Sequence, residues 1–256
     1  MARIEVKVVK VLRDNYVFLL NHRGSGSGAV VDPGIAGPIL IQLDQLAWRV
    51  RKIFCTHHHI DQVGGNLDLK RSFHCEVIAP KAESSRIPGV TSEVSEGDKV
   101  MLGDAEAIVM DLSGHTSGHI GYWFKDSGAL FCGDVLYPMG CGRVFEGDAA
   151  QMWRTLQKIR ALPPETKIYC AHEYAERNYK FARSLDPHNA ALRPRGEWFR
   201  NQVQAGGVGV PFTLADELKT NPFLRCDDDT FVKQIGMAGK KPVEVFAELR
   251  RRRDEA

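Results

Sequence analysis

The sequence predicts an α/β protein in two parts. Strand-length apolar runs crowd residues 4–132, whereas beyond Cys170 strand signals become scarce and helical spacing takes over. The histidine clusters, moreover, sit directly after predicted strand ends rather than inside elements. Residues 4–11 set Ile4, Val6 and Val8 against Glu5 and Lys7, the period of a half-buried strand. Apolar runs at 16–20 and 29–31 add two more, the second closing on Asp32-Pro33-Gly34. Ile39, Leu40, Leu43, Leu46 and Ala47 give residues 37–49 a helical rhythm, and a short strand at 52–55 runs straight into Thr56 and the first histidines. Further strands are expected at 76–79, 98–102, 106–112, 120–124 and 129–132, with turn residues between them. Helices are expected at 173–185, 189–204, 214–220 and 242–253, with 206–211 as a loop. With no repeat and no long linker, a second domain should be closely docked.

Composition narrows the function classes. At 256 residues and 43% hydrophobic, the chain can bury a sizeable core. Its 34 basic and 32 acidic residues leave a net charge of +2, which argues for neither a polyanion binder nor an acidic solubilising chain. Residues 174–256 nevertheless hold 15 basic and 12 acidic groups and end in Arg250-Arg251-Arg252-Arg253. The six cysteines lie apart with no C-x-x-C pair, which fits reduced thiols and an expected cytoplasmic location. The start lacks an apolar leader and no run approaches a membrane span, so a soluble, unexported protein with no nucleic-acid or membrane partner is expected.

Six of the nine histidines fall into three clusters: His57-His58-His59, His115 with His119, and His172. His57 and His59 stand two apart, so in extended chain both imidazoles face one side and can share a metal; Asp61 continues that parity. Other strand ends supply His115, Asp134 and His172. Imidazole with carboxylate suits zinc, iron or manganese. His58 has the opposite parity and is expected to support rather than ligate, as is His119. Asp32 is either a turn residue or a support for a ligand imidazole, and Cys141 is expected to be an inert buried thiol.

The order Thr-His-x-His-x-Asp at 56–61, Gly-His-Thr at 114–116, Gly133-Asp134 and Ala-His-Glu-Tyr at 171–174 resembles the metallo-β-lactamase superfamily. Gly-Cys-Gly-Arg-Val-Phe-Glu-Gly at 140–147, Cys170 through Tyr174, and Asn-Pro-Phe-Leu-Arg at 221–225 are similar to the glyoxalase II (hydroxyacylglutathione hydrolase) family. The resemblance implies an αββα sandwich over residues 1–172 that binds metal, and a helical glutathione-binding part over 173–256. It implies that His57, His59 and His115 hold a first metal, that Asp134 bridges, and that Asp61 and His172 hold a second. Where the family pattern continues Asp-His, this sequence reads Asp61-Gln62, and an amide lacks the imidazole nitrogen, so the second site should be weakened, altered or empty.

The implied cofactor is zinc, one ion or two, with iron or manganese as alternatives. The implied chemistry is thioester hydrolysis in methylglyoxal detoxification, S-D-lactoylglutathione giving D-lactate and glutathione. A metal-bound water, acidified to a pKa of about 7, supplies hydroxide, and Asp61 and Asp134 are the catalytic carboxylates. The implied glutathione contacts are Arg143, Tyr174, Arg250 and Arg253; the family often has lysine at the first and last, and tyrosine where this chain has Phe145. A monomer acting on a small molecule is expected. Two other functions fit parts of the pattern. A mononuclear-iron persulfide dioxygenase would show one tightly held iron and oxygen uptake, and a glutathione-conjugate binding protein with a degenerate metal site would show binding without turnover.

Overall fold

Strand after strand, the chain builds two six-stranded sheets, and the computed structural model describes residues 4–256 of it. The residues fall into two compact units, the first comprising the chain through Leu112 with 117–133 and 169–172, the second 113–116, 134–168 and 173–256.

In the first unit the elements run β1 (Ile4–Val11), β2 (Asn15–His22), β3 (Ser27–Val31), α1 (Gly37–Leu46), β4 (Arg49–Phe54), α2 (Ile60–Val63), α3 (Asn66–Phe73), β5 (Glu76–Pro80) and β6 (Ser92–Val94). They continue as β7 (Lys99–Leu102), β8 (Ala105–Asp111), β9 (Ile120–Phe124) and β10 (Ala129–Gly133). The first sheet has the order β1-β2-β3-β4-β5-β6. It is antiparallel from β1 to β3 and parallel from β3 to β6. Parallel neighbours need crossovers, which is where α1, α2 and α3 fall. β2 reads as an unbroken apolar run because both its faces are covered. Val17 and Leu19 join Ile39 and Leu43 of α1 and Leu69 of α3 in one cluster. On the other face Phe18 meets Phe131 and Tyr169, and Phe54 meets Tyr122 and Phe124, so aromatic rings fill the space between the sheets. Truncating one such fully buried side chain to alanine costs about 3 kcal/mol.

The second unit holds β11 (Leu136–Tyr137), β12 (Gly140–Cys141), α4 (Ala149–Arg160), the first half of β13 (Lys167–Cys170), α5 (Ala175–Leu185), α6 (Leu192–Gln204), β14 (Phe212–Thr213), α7 (Leu214–Thr220), α8 (Asp229–Gln234) and α9 (Pro242–Asp254). α4 lies outside the elements expected from the sequence. Its signal is present all the same: Asp148 accepts from the Gln151 amide as an N-cap, and Met152, Trp153, Leu156 and Ile159 form its buried face. β13 pairs with β14 through Lys167 and Ile168, and the second sheet has the order β14-β13-β10-β9-β8-β7.

Strand direction explains where the functional loops emerge. β3, β4 and β5 are parallel, so their carboxyl ends lie together and deliver Asp32, the 56–59 loop and Glu83 to one edge of the sheet. β8 and β10 run the same way on either side of β9, so the chain leaves both toward the same edge.

Candidate metal centre

Just beyond β4, Thr56 is fixed twice by the buried Asp32: its N–H donates to Oδ1 and its hydroxyl to Oδ2, each at 2.8 Å. With its own hydrogen so committed, the Thr56 oxygen accepts the Nδ1–H of His57 at 3.0 Å. The ring proton of His57 is thereby placed on Nδ1, and Nε2 becomes the lone-pair nitrogen, 3.0 Å from Nδ1 of His59. His119 stacks on the His57 ring at 4.6 Å between centroids. His58 turns the other way: its N–H and its ring Nδ1 both address the fully buried Glu83 carboxylate, at 2.9 and 2.6 Å, while Glu83 also accepts the Gly118 N–H at 2.8 Å. Gly133 has φ of 50°, and a Cβ there would come within 2.5 Å of Thr56 Oγ1 and 2.7 Å of His119 Nε2, so only glycine closes β10 against this loop.

Asp61 and Gln62 start α2 beside His172. His172 Nδ1 lies 2.8 Å from the Asp14 carboxylate and its Nε2 3.3 Å from Asp61 Oδ2. Asn15 donates its side-chain amide to Asp61 Oδ2 at 2.9 Å. Gln62 is wholly buried, with Nε2 3.2 Å from Asp61 Oδ2 and 3.3 Å from His172 Nε2.

In the second unit His115 donates Nδ1–H to the Arg143 carbonyl at 2.8 Å, which leaves Nε2 as its lone-pair nitrogen, 3.3 Å from Asp134 Oδ2. The Tyr137 hydroxyl donates to the other Asp134 oxygen at 2.8 Å. Asn221, the first residue of the Asn-Pro-Phe-Leu-Arg motif, donates to the Gly140 carbonyl and to Glu217, and Glu217 accepts the Met139 N–H, so this network fixes the turn that carries Tyr137. The His57/His59 pair and the His115/Asp134 pair each bring ligand atoms within 4.8 Å, with imidazole nitrogen and carboxylate oxygen as donors. That chemistry fits a divalent metal ion. The Asp61, Gln62 and His172 set does not fit a second one, because an amide NH₂ points where an ion's positive charge would act.

The four residues expected to meet glutathione lie in the second unit and differ in exposure. Arg143 is largely exposed and pairs with Asp254 at 3.3 Å. Arg250 is buried, donates to the Cys141 carbonyl and to Asp254 at 2.9 Å each, and lies over the Phe223 ring. Arg253 reaches the Asn178 side-chain oxygen at 3.4 Å. Burial, with Arg250, Arg177 and Arg143 nearby, holds the Arg253 guanidinium below its ordinary pKa against the opposing pull of Asp254. Cations therefore outnumber the one aspartate here. Tyr174 caps α5, its ring edge-on to Tyr137, and joins Glu173, Arg177, Phe199 and Arg200 around a cavity of about 260 Å³. Burial pushes the Cys141 thiol up to about 11 even though Arg250 pulls it down. Residues missing from the sequence reading are Asp14, Asn15, Glu83, Tyr137 and Asn178. Of these only Tyr137, three after Asp134, had a local signal.

The fold and the donor set define a metal-dependent hydrolase of the metallo-β-lactamase superfamily, and residues 12–172 match that superfamily. Residues 173–256 match the family described as hydroxyacylglutathione hydrolase C-terminus, and the chain belongs to the glyoxalase II (hydroxyacylglutathione hydrolase) family. A hydroxyacylglutathione hydrolase of Methylococcus capsulatus is 49% identical over 251 residues, covering 98% of each chain. One of Rhodospirillum rubrum is 46% identical over 254 residues, covering 99% of each. Among solved structures, ETHE1 from Myxococcus xanthus superposes with a TM-score of 0.70 at 21% identity, over 96% of this chain and 90% of that one, a likeness of fold.

Proposed function

We infer that this chain hydrolyses glutathione thioesters, with S-D-lactoylglutathione as the substrate, releasing D-lactate and glutathione. The observation that carries the reading is the His/Asp donor set, pre-oriented by Thr56 and Arg143, in a chain 49% identical along its whole length to a hydroxyacylglutathione hydrolase. In this reading His57, His59, His115 and Asp134 would hold the first metal, zinc in preference to iron or manganese. When bound, such an ion supplies a water acidified toward neutral pH and a Lewis acid for the thioester carbonyl.

The remaining steps belong to the chain's own groups. Thr56 and the Arg143 carbonyl keep the ring protons of His57 and His115 away from the donor nitrogens. Tyr137 holds one Asp134 oxygen and leaves the other for the ion. Asp61, steadied by Asn15, would be the carboxylate available to take a proton there. Arg143 and Arg253 attract the glutathione carboxylates, Tyr174 packs against the peptide, and Arg250 braces β12 beneath them. The reading takes residues 1–172 as the catalytic domain and 173–256 as the glutathione-binding one, acting as a cytoplasmic monomer. Its support for location is six buried cysteines, none in a disulfide, and among the described residues no helix is long and apolar enough to cross a membrane.

Elemental analysis of the purified chain, alongside hydrolysis of S-D-lactoylglutathione, tests the reading. Bound divalent metal with chelator-sensitive turnover is expected. Arg253→Ala should raise KM for this substrate by about tenfold and leave a small thioester without glutathione unchanged. Oxygen uptake with glutathione persulfide and no thioester turnover would overturn the assignment.

A further inference from the structure

Gln62 does more than lack an imidazole. His172 addresses the Asp14 carboxylate with Nδ1 at 2.8 Å, and a carboxylate only accepts, so Nδ1 carries a proton; in the neutral ring, the form that could ligate a metal, Nε2 then presents a lone pair. Asp61 Oδ2 also only accepts. These two acceptors lie 3.3 Å apart, an arrangement that repels itself unless something positive faces both. Gln62 Nε2 faces both, at 3.2 Å from Asp61 Oδ2 and 3.3 Å from His172 Nε2. An amide nitrogen has two hydrogens for two acceptors, which fixes the amide one way round: turned over, its oxygen would face two further lone pairs. Its Oε1, buried with no hydrogen-bond partner, is left unsatisfied by that choice. The lone pairs that Gln62 occupies are the ones a second metal ion would take from Asp61 and His172.

We propose that the Gln62 amide NH₂ stands in for the second metal ion, so that this chain is a one-metal protein by construction, with Asp61 and His172 tied together by an amide where an ion would tie them. The proposal deepens the hydrolase reading at its own site, but its test reads stoichiometry and stands whether or not the thioester is the substrate. The full-length chain is loaded with excess zinc and, in parallel, excess manganese, desalted, and analysed for metal and protein, with circular dichroism confirming the fold of each variant.

About one ion per chain is expected with either metal. The same value is expected for His172→Ala, because that residue holds no ion. Gln62→His should raise the content toward about two, and Gln62→His with His172→Ala should return it to about one. A second ion in the unaltered chain that His172→Ala removes would overturn the proposal, since Gln62 would then be turned over and ligating through its oxygen. Folded Gln62→His that remains at one ion would overturn it too, because the amide would not be what keeps the second ion out. Failure of the hydrolase reading shows separately, as absent thioester turnover with these stoichiometries intact.

Discussion

Asp32 shows how much one buried side chain decides. It sits at φ of 51°, a left-handed conformation that costs a non-glycine residue of order 1 kcal/mol, and it is 1% exposed. Its two oxygens take the Thr56 N–H and hydroxyl, and the hydroxyl's direction in turn sets the His57 tautomer. Asp32→Asn keeps the shape but puts an NH₂ against the Thr56 oxygen. The Thr56 hydrogen then turns to His57 Nδ1 and drives the ring proton onto the donor nitrogen. Metal affinity should fall by about 10–100-fold with little change in circular dichroism, measured by competition with a chromophoric chelator. Unchanged affinity would show that the relay does not set the tautomer. The sequence left Asp32 between turn residue and ligand support, and in the structure it holds Thr56, the residue that contacts the His57 ring.

At the scale of elements, the Asn-Pro-Phe-Leu-Arg motif is a joint. Asn221 caps the short turn 222–224 and reaches the Gly140 carbonyl, while Arg225 at its other end donates to Asp186 at 2.6 Å and Asp228 at 2.9 Å, linking the end of α5 to the start of α8. Burial alone would raise the Asp186 carboxyl, but hydrogen bonds from Arg225, Gln234 and Asn189 outweigh it and hold it below its ordinary 3.8. Asp228 is held down in the same way, burial opposed by Arg225 and the backbone N–H groups of α8. A depressed carboxylate pKa contributes stability that is fully present above the unfolded value and is lost as pH falls through the folded value. Arg225→Met should therefore cost about 3 kcal/mol at neutral pH and move the midpoint of acid unfolding upward. Acid titration followed by circular dichroism checks this, and an unmoved midpoint would remove the two carboxylates from the acid transition. The motif was legible as a family mark, whereas its mechanical role depends on Asp186, 39 residues away, which no local pattern announces.

Across the whole molecule, the sequence carried most of the metal ligand candidates because metal chemistry restricts residue type and strand ends restrict position. His57, His59, His115, Asp134 and His172 all follow strands, which made them candidates, and the family resemblance is what grouped them into a ligand set. Asp14 and Glu83 were invisible for the opposite reason: an isolated carboxylate reads as surface until the fold sets it against an imidazole. The same asymmetry governs the cysteines. Six thiols in a metal hydrolase invite a nucleophilic reading, above all Cys141 between two glycines beside Arg143. Reactivity requires thiolate and access together. All six are buried, and burial, only partly opposed by Arg250, raises Cys141 to about 11, so at pH 8 about one in a thousand of its thiols is ionised. Native protein treated with excess aromatic disulfide reagent should therefore release no rapid thiol equivalent and keep its thioester hydrolysis, whereas in denaturant all six should react. One fast equivalent in the native state, with activity lost at the rate of Cys141 labelling, would transfer the nucleophile's role from metal-activated water to that thiol.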